Sequence, residues 1–195
     1  MEKNLDKILK AQQYKVDSDV VYKVTFDFDY GGMFTKWWNE VQNTVDPSHF
    51  AGYNISSTKL FPVNSTPDIK SDTNALWEQY KRFILQQIYI LFNQQVTLNR
   101  MWVNEYPPGA FVNLHSHLDS TVVSSGYVSV DSNDVSSSLL ILNPITQEYI
   151  EIPVQTNDVL IFSGRLKHKS HPNGSNKNRY VVASNYTFLS KNNHI

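Results

Sequence analysis

A chain of 195 residues, 41% hydrophobic and 18% charged, is long enough to bury a core and too apolar to be a disordered segment. Its formal net charge of −1 argues against a surface built for nucleic acid or for anionic membrane. With no cysteine it has no disulfide, no thiolate nucleophile and no sulfur-ligated zinc, so any metal must be held by imidazole and oxygen.

One domain is expected over 1–195, with a strand and supporting helices in 1–96 and a β-rich core in 97–190. Residues 2–15 read as a short helix. The opening MEKNLDKILKAQQ has no apolar core of a signal peptide, and no apolar run nears the ~20 residues that span a bilayer. A cytoplasmic location is therefore expected. VVYKVTFDFDY, 20–30, alternates as a strand, Gly31-Gly32 ends it, and MFTKWWNEVQNTV follows with helical spacing through Phe34, Trp37, Trp38 and Val41. Residues 46–73 mix Pro, Gly, Ser, Asn and Asp and read as loop. Leu76, Tyr80, Phe83, Ile84, Ile88, Leu91 and Phe92 then recur at three- and four-residue steps, a long amphipathic helix over 74–95 with Asp72 or Thr73 as N-cap.

After Val96 strands are predicted near 97–106, 110–117, 121–131, 137–143, 147–153, 158–162, 166–171 and 179–189. The turn signals PPG, DSND, NP, TND and PNGSN separate them. So many short strands imply a mainly β fold with flanking α-helices: a jelly roll, or double-stranded β-helix, packed against the N-terminal helices. The sequons at Asn54, Asn64, Asn173 and Asn185 read as chance in an Asn- and Ser-rich chain.

The stretch LHSHLDS, 114–120, sets His115, His117 and Asp119 at alternate positions, which on a strand share one face. His168 and His171 lie in a later strand that a jelly roll can bring opposite, so His115, His117 and His168 are candidate metal ligands at one mouth of the barrel. The plain alternatives are an exposed polar strand face for HSHLD and a solvated turn for His168, flanked by Lys167 and Lys169. His49 and His194 stand alone and read as ordinary surface or core histidines. RYVVASNYTFL is apolar apart from Arg179, Ser184 and Asn185, and the fork of Arg179 suits a carboxylate bound bidentately, unless it sits at an exposed strand end beside a surface acid.

EYPPGAFVNLHSH, with Tyr106, Gly109 and His115, resembles the segment before the metal site of Fe(II)/2-oxoglutarate-dependent dioxygenases of the prolyl-hydroxylase type. NDVLIFSGRLKHKSHPNGSNKNRYVVASNY is similar to that family's closing region, through Asp158, Phe162, His168, Pro172, Asn173 and Arg179. HxH followed by Ser125, Gly126 and Tyr127 looks most like the small 2-oxoglutarate oxygenases of phage and marine bacterial genomes; a phage origin would place the protein in the host cytoplasm. The resemblance covers about 100–189. It implies Fe(II) as metal, 2-oxoglutarate and dioxygen as co-reactants, and a further substrate that the sequence does not name. Arg179 would bind the distal carboxylate of 2-oxoglutarate, assisted by Tyr106, Tyr127 or Ser129. Trp102, Tyr106, Phe111 and the loop 131–136 would border the entrance.

The family's facial triad has two histidines and one carboxylate. Here His117 stands where the carboxylate is expected. One ligand set is His115, His117 and His168. Another slides the motif by two and uses His117, Asp119 and His168, at the expense of the spacing to Tyr106. A third, His115 with Asp119 and His168, asks for a reach of about 13 Å along a strand and ranks last. The first is favoured. Two other functions remain open: a cupin-like three-His dioxygenase without 2-oxoglutarate, distinguished by an Arg179 that points away from the barrel, and a non-catalytic jelly-roll module with incidental histidines.

Overall fold

Alternating burial governs the described chain, which in this computed structural model comprises residues 11–26, 29–41, 64–65, 75–132, 134 and 136–190. The elements are β1 (Gln12–Val16), β2 (Asp19–Thr25), α1 (Tyr30–Val41), β3 (Asn64–Ser65), α2 (Ala75–Phe92), β4 (Val96–Tyr106), β5 (Val122–Ser129), β6 (Ser138–Leu142), β7 (Tyr149–Pro153), β8 (Asp158–Ser163), β9 (His168–Ser170) and β10 (Arg179–Phe188). The strands form a seven-stranded sheet in the order β1-β2-β8-β5-β10-β4-β3 and a three-stranded sheet in the order β7-β6-β9. Every pairing between them is antiparallel. This is the expected mainly β jelly roll with helices on one side.

The large sheet is buried on both faces. On β4, β5, β8 and β10, Met101, Val122, Ile161, Val182 and Tyr186 pack against the helices, where Trp77, Tyr80 and Ile84 of α2 and Phe34 of α1 meet them. The intervening residues, including Val123, Leu160, Phe162 and Val181, face the small sheet and its Leu139, Ile141 and Ile152. Burying one such side chain contributes about 1.5–3 kcal/mol, against about 1 kcal/mol for a net hydrogen bond. Side-chain burial on two faces therefore fixes the register, since a slip of one residue would exchange the two sets.

Several expectations are corrected. Instead of continuing as helix to residue 15, the chain enters strand β1 at Gln12, and β1 pairs with β2 across a turn in which Asp17 takes a φ of 55°. The rest of the predicted 2–15 helix, most of the 46–73 loop and the N-cap pair Asp72 and Thr73 lie outside the described residues. β2 ends at Thr25, and Gly31-Gly32 sit inside α1 rather than before it. Asp29 caps that helix by accepting the Gly32 N–H at 2.9 Å. A Cβ on Gly31 would lie 2.7 Å from the Val128 carbonyl oxygen, so glycine there lets α1 approach β5.

The predicted strand over 110–117 is also absent: bridge residues at Val112 and His115, the latter opposite His168, replace it. Turns at both ends use up the segment. Pro107-Pro108-Gly109-Ala110 is a type II turn, with Ala110 N–H on the Pro107 carbonyl at 2.9 Å and Gly109 at φ 79°. After His117 the chain turns again, the Ser120 N–H reaching the His117 carbonyl at 3.0 Å.

Candidate metal centre

His115 and His168 are placed by their own backbones. His115 N–H donates to the His168 carbonyl at 3.0 Å and His168 N–H returns to the His115 carbonyl at 2.9 Å. The two imidazoles then lie side by side, ring centroids 4.3 Å apart. His117 is set by a third contact, its N–H on the Gly164 carbonyl at 2.8 Å, while Gly164 N–H donates to Thr121 at 3.1 Å. A Cβ on Gly164 would overlap the carbonyl oxygens of Ser120 and His117, so glycine permits this crossing of two backbones. The His117 ring centroid lies 5.0 Å from that of His115 and 5.3 Å from that of His168. One nitrogen from each ring falls within 4.8 Å of the other two, a spacing that could hold a metal ion.

The chemistry of these donors fits a first-row divalent metal. His115 Nδ1 lies 2.8 Å from the Asn113 carbonyl and His168 Nδ1 lies 3.0 Å from the Leu166 carbonyl. A carbonyl only accepts, so both Nδ1 atoms carry the proton and both Nε2 lone pairs are free. Burial disfavours the imidazolium at all three positions: it lowers the His115 pKa, brings His117 down to about 4 and takes His168 well below 6.5. Neutral, tautomer-fixed imidazoles are what a metal requires of histidine. Phe162 packs edge-on against His168 at 4.9 Å and closes the inner side.

The three histidines line a cavity between the sheets that measures about 740 Å³ with its open mouth included. Arg179, Tyr106 and Tyr127 line it too. Arg179 is 2% exposed. Its Nη2 donates to the His171 carbonyl at 2.9 Å, its Cζ lies over the Tyr106 ring at 4.8 Å, and Nη1 stands 3.8 Å from Asp134 Oδ2. Among the described residues its Nε and Nη1 have no hydrogen-bond partner. A buried cation with two N–H groups short of an acceptor, one of them facing the Asp134 carboxylate, is costly unless it is matched by further negative charge. Burial raises the pKa of both Tyr106 and Tyr127 despite the lowering effect of Arg179, so both phenols keep their protons.

Asp119 does not share the face of the histidines. The turn after His117 carries it to the exposed surface, outside the ligand cluster, near enough to His117 to favour that imidazole's charged form. Ser129 lies past a bulge in the β5–β10 pairing and is not among the cavity's lining residues. His171 contributes its carbonyl to Arg179, and its ring faces Glu151 at 3.5 Å. His49 and His194 lie outside the described residues. Sequence reasoning missed Asp134, held by the hydroxyls of Ser136 and Ser137, and Asn185, whose Nδ2 is 3.3 Å from His117 Nδ1. Counting by twos from Arg179 through Val181 and Ala183 would have found Asn185 on the inward face. Asn173 is 2% exposed, and its Nδ2 donates to the carbonyls of Tyr106 and Lys177 at 2.8 Å, tying the two turns that flank the cavity.

No family model matches the chain, and no curated protein matches it. Solved structures do. A prolyl-4-hydroxylase from Pseudomonas putida superposes with a TM-score of 0.62 at 13% identity, over 87% of this chain and 93% of that one. HygX from Streptomyces hygroscopicus, with nickel and 2-oxoglutarate bound, gives 0.63 at 13% identity, over 86% and 82%. AviO1 from Streptomyces viridochromogenes gives 0.66 at 13% identity, over 91% and 97%. The protein thus has the fold of the 2-oxoglutarate-dependent non-haem iron oxygenases, the superfamily its two motif segments resemble.

Proposed function

We propose that the protein is an Fe(II)- and 2-oxoglutarate-dependent dioxygenase that hydroxylates a substrate presented at the cavity mouth, as prolyl hydroxylases do. His115, His117 and His168 hold the iron, and Arg179 receives the distal carboxylate of 2-oxoglutarate. One observation carries this reading: a buried guanidinium whose Nε–H has no acceptor among the described residues, and whose Nη1 has only the 3.8 Å ion pair with Asp134, lines the same cavity as three neutral imidazoles. Arg179 points inward, which favours a 2-oxoacid over a cupin-like reaction without one. A purely structural module would leave neither the histidine cluster nor the orphaned donors with a role.

Bound at this site, Fe(II) supplies the redox chemistry that couples oxidation of 2-oxoglutarate by dioxygen to oxidation of the substrate. The chain's own residues do the rest. Arg179, braced on Tyr106 and on the His171 carbonyl, offers a fixed fork for one carboxylate. The Tyr106 and Tyr127 hydroxyls stay protonated and stand ready to donate to the same anion. The apolar layer of Phe162, Val123 and Val181 keeps water from the inner side.

The test is succinate formation from 2-oxoglutarate with Fe(II) and ascorbate. The wild type is expected to turn over without added substrate and His168→Ala to be inactive; equal rates would remove the assigned iron site. Arg179→Ala should raise the 2-oxoglutarate requirement at least tenfold, and an unchanged requirement would remove its role.

A further inference from the structure

We propose that Asn185 is the positioning residue that makes His117 a metal ligand: its side-chain Oδ1 accepts the His117 Nδ1–H and so frees Nε2 for the ion. This rests on the three-histidine site proposed above. His115 and His168 each fix their tautomer on the carbonyl two residues earlier in their own segment, Asn113 and Leu166. The equivalent carbonyl for His117 belongs to His115, and it is already engaged by the His168 N–H at 2.9 Å. The partner His117 has instead is a side chain from another strand, the Asn185 amide on β10, 3.3 Å from Nδ1 and 5% exposed.

The amide's two orientations have opposite consequences. With Nδ2 toward the ring, as placed here, Nδ1 accepts, Nε2 carries the proton, and His117 offers no lone pair to an ion beside the other two. A half-turn of the amide brings Oδ1 to Nδ1, moves the ring proton to Nδ1 and exposes the Nε2 lone pair. A carboxylate in the third ligand position needs no such control, because either oxygen can bind. A histidine there does, so the replacement of carboxylate by His117 calls for an acceptor behind it. Asn185 fills that role, and its half-turn separates a two-ligand from a three-ligand site.

Cobalt(II) binding to the full chain tests this, read by calorimetry and by the visible spectrum of the ion. Asn185→Leu keeps the volume and removes the acceptor; it should weaken Co(II) binding 10- to 100-fold and give the spectrum of His117→Ala. Asn185→Asp, which can only accept, should restore affinity to within about threefold of wild type with the wild-type spectrum. In the zinc-loaded wild type, long-range ¹H–¹⁵N spectra should find the His117 proton on Nδ1, a readout that depends on no variant folding. Wild-type affinity and spectrum in Asn185→Leu overturns the proposal while leaving the iron site standing; a proton on Nε2 in the zinc form overturns it together with His117's place among the ligands. Wild-type Co(II) binding in His168→Ala would instead overturn the site itself.

Discussion

His115 and His168 exchange both backbone hydrogen bonds, at 3.0 and 2.9 Å, in an isolated bridge that ties a residue outside any strand to the start of β9. Two segments remote in sequence thereby deliver their imidazoles to one point. His117 joins them one contact later, through Gly164. The geometry leaves Asp119 in a turn at the surface.

Asp119→Asn should therefore bind Co(II) within twofold of wild type, while His115→Ala and His168→Ala lose at least tenfold. Isothermal titration decides between the three-histidine set and the two sets that use Asp119. Loss of binding in Asp119→Asn with binding retained in His115→Ala would restore the His117, Asp119 and His168 triad.

Gly164→Ala places a methyl group against two carbonyl oxygens that no side-chain rotation can move. The expected cost is about 1–3 kcal/mol of stability, the usual range for overpacking. Because the Gly164 carbonyl also positions His117, metal affinity should fall together with stability. Urea unfolding with and without Co(II) measures both; stability lost with affinity intact would detach Gly164 from the site.

Gly126 is crowded by a different neighbour. A Cβ there would overlap the Tyr80 hydroxyl, at the centre of the helix–sheet core. Gly126→Ala should destabilise by about 1–3 kcal/mol. Tyr80→Phe in the same chain should recover part of that loss, since the nearest offending atom is gone. A double mutant no more stable than Gly126→Ala alone would place the strain elsewhere.

The histidines also predict a pH dependence. Burial lowers their pKa values in the folded chain, His117 to about 4, below the 6.5 of an unfolded histidine. Between those values the unfolded chain binds protons that the folded chain refuses, so stability present above pH 6.5 is lost as pH falls. The slope is at most about 1.4 kcal/mol per pH unit for each histidine that stays neutral, reduced by solvent screening at the partly exposed His115 and His117. Thermal unfolding of the metal-free protein from pH 7.5 to 4.5 should show a falling Tm, and His117→Gln should flatten it. A Tm constant over that interval would mean the imidazoles are not buried as neutral groups.

The strand pattern after Val96 and the long helix through Trp77 and Tyr80 were legible in the sequence, because a side chain's burial face repeats at a period set by the backbone itself. So was the convergence on His168 and Arg179, through motif spacing. The errors share a cause. Gly31-Gly32 read as a break and proved to be a helix start, since Gly31 allows close approach to β5, a neighbour that sequence distance conceals. LHSHLDS read as a strand and proved to be a bridge and a turn, so alternation placed His115 and His117 near each other but misplaced Asp119.

By itself the sequence determined the residue types available to a metal, with no sulfur among them, and the two-sided burial that makes the sheets. The gathering of His117, and not Asp119, with the other two histidines, the inward course of Arg179 and the Asn185 amide behind His117 were decided only in three dimensions. Each depends on which backbone crosses which, and a local repeat carries no record of the partner it will meet.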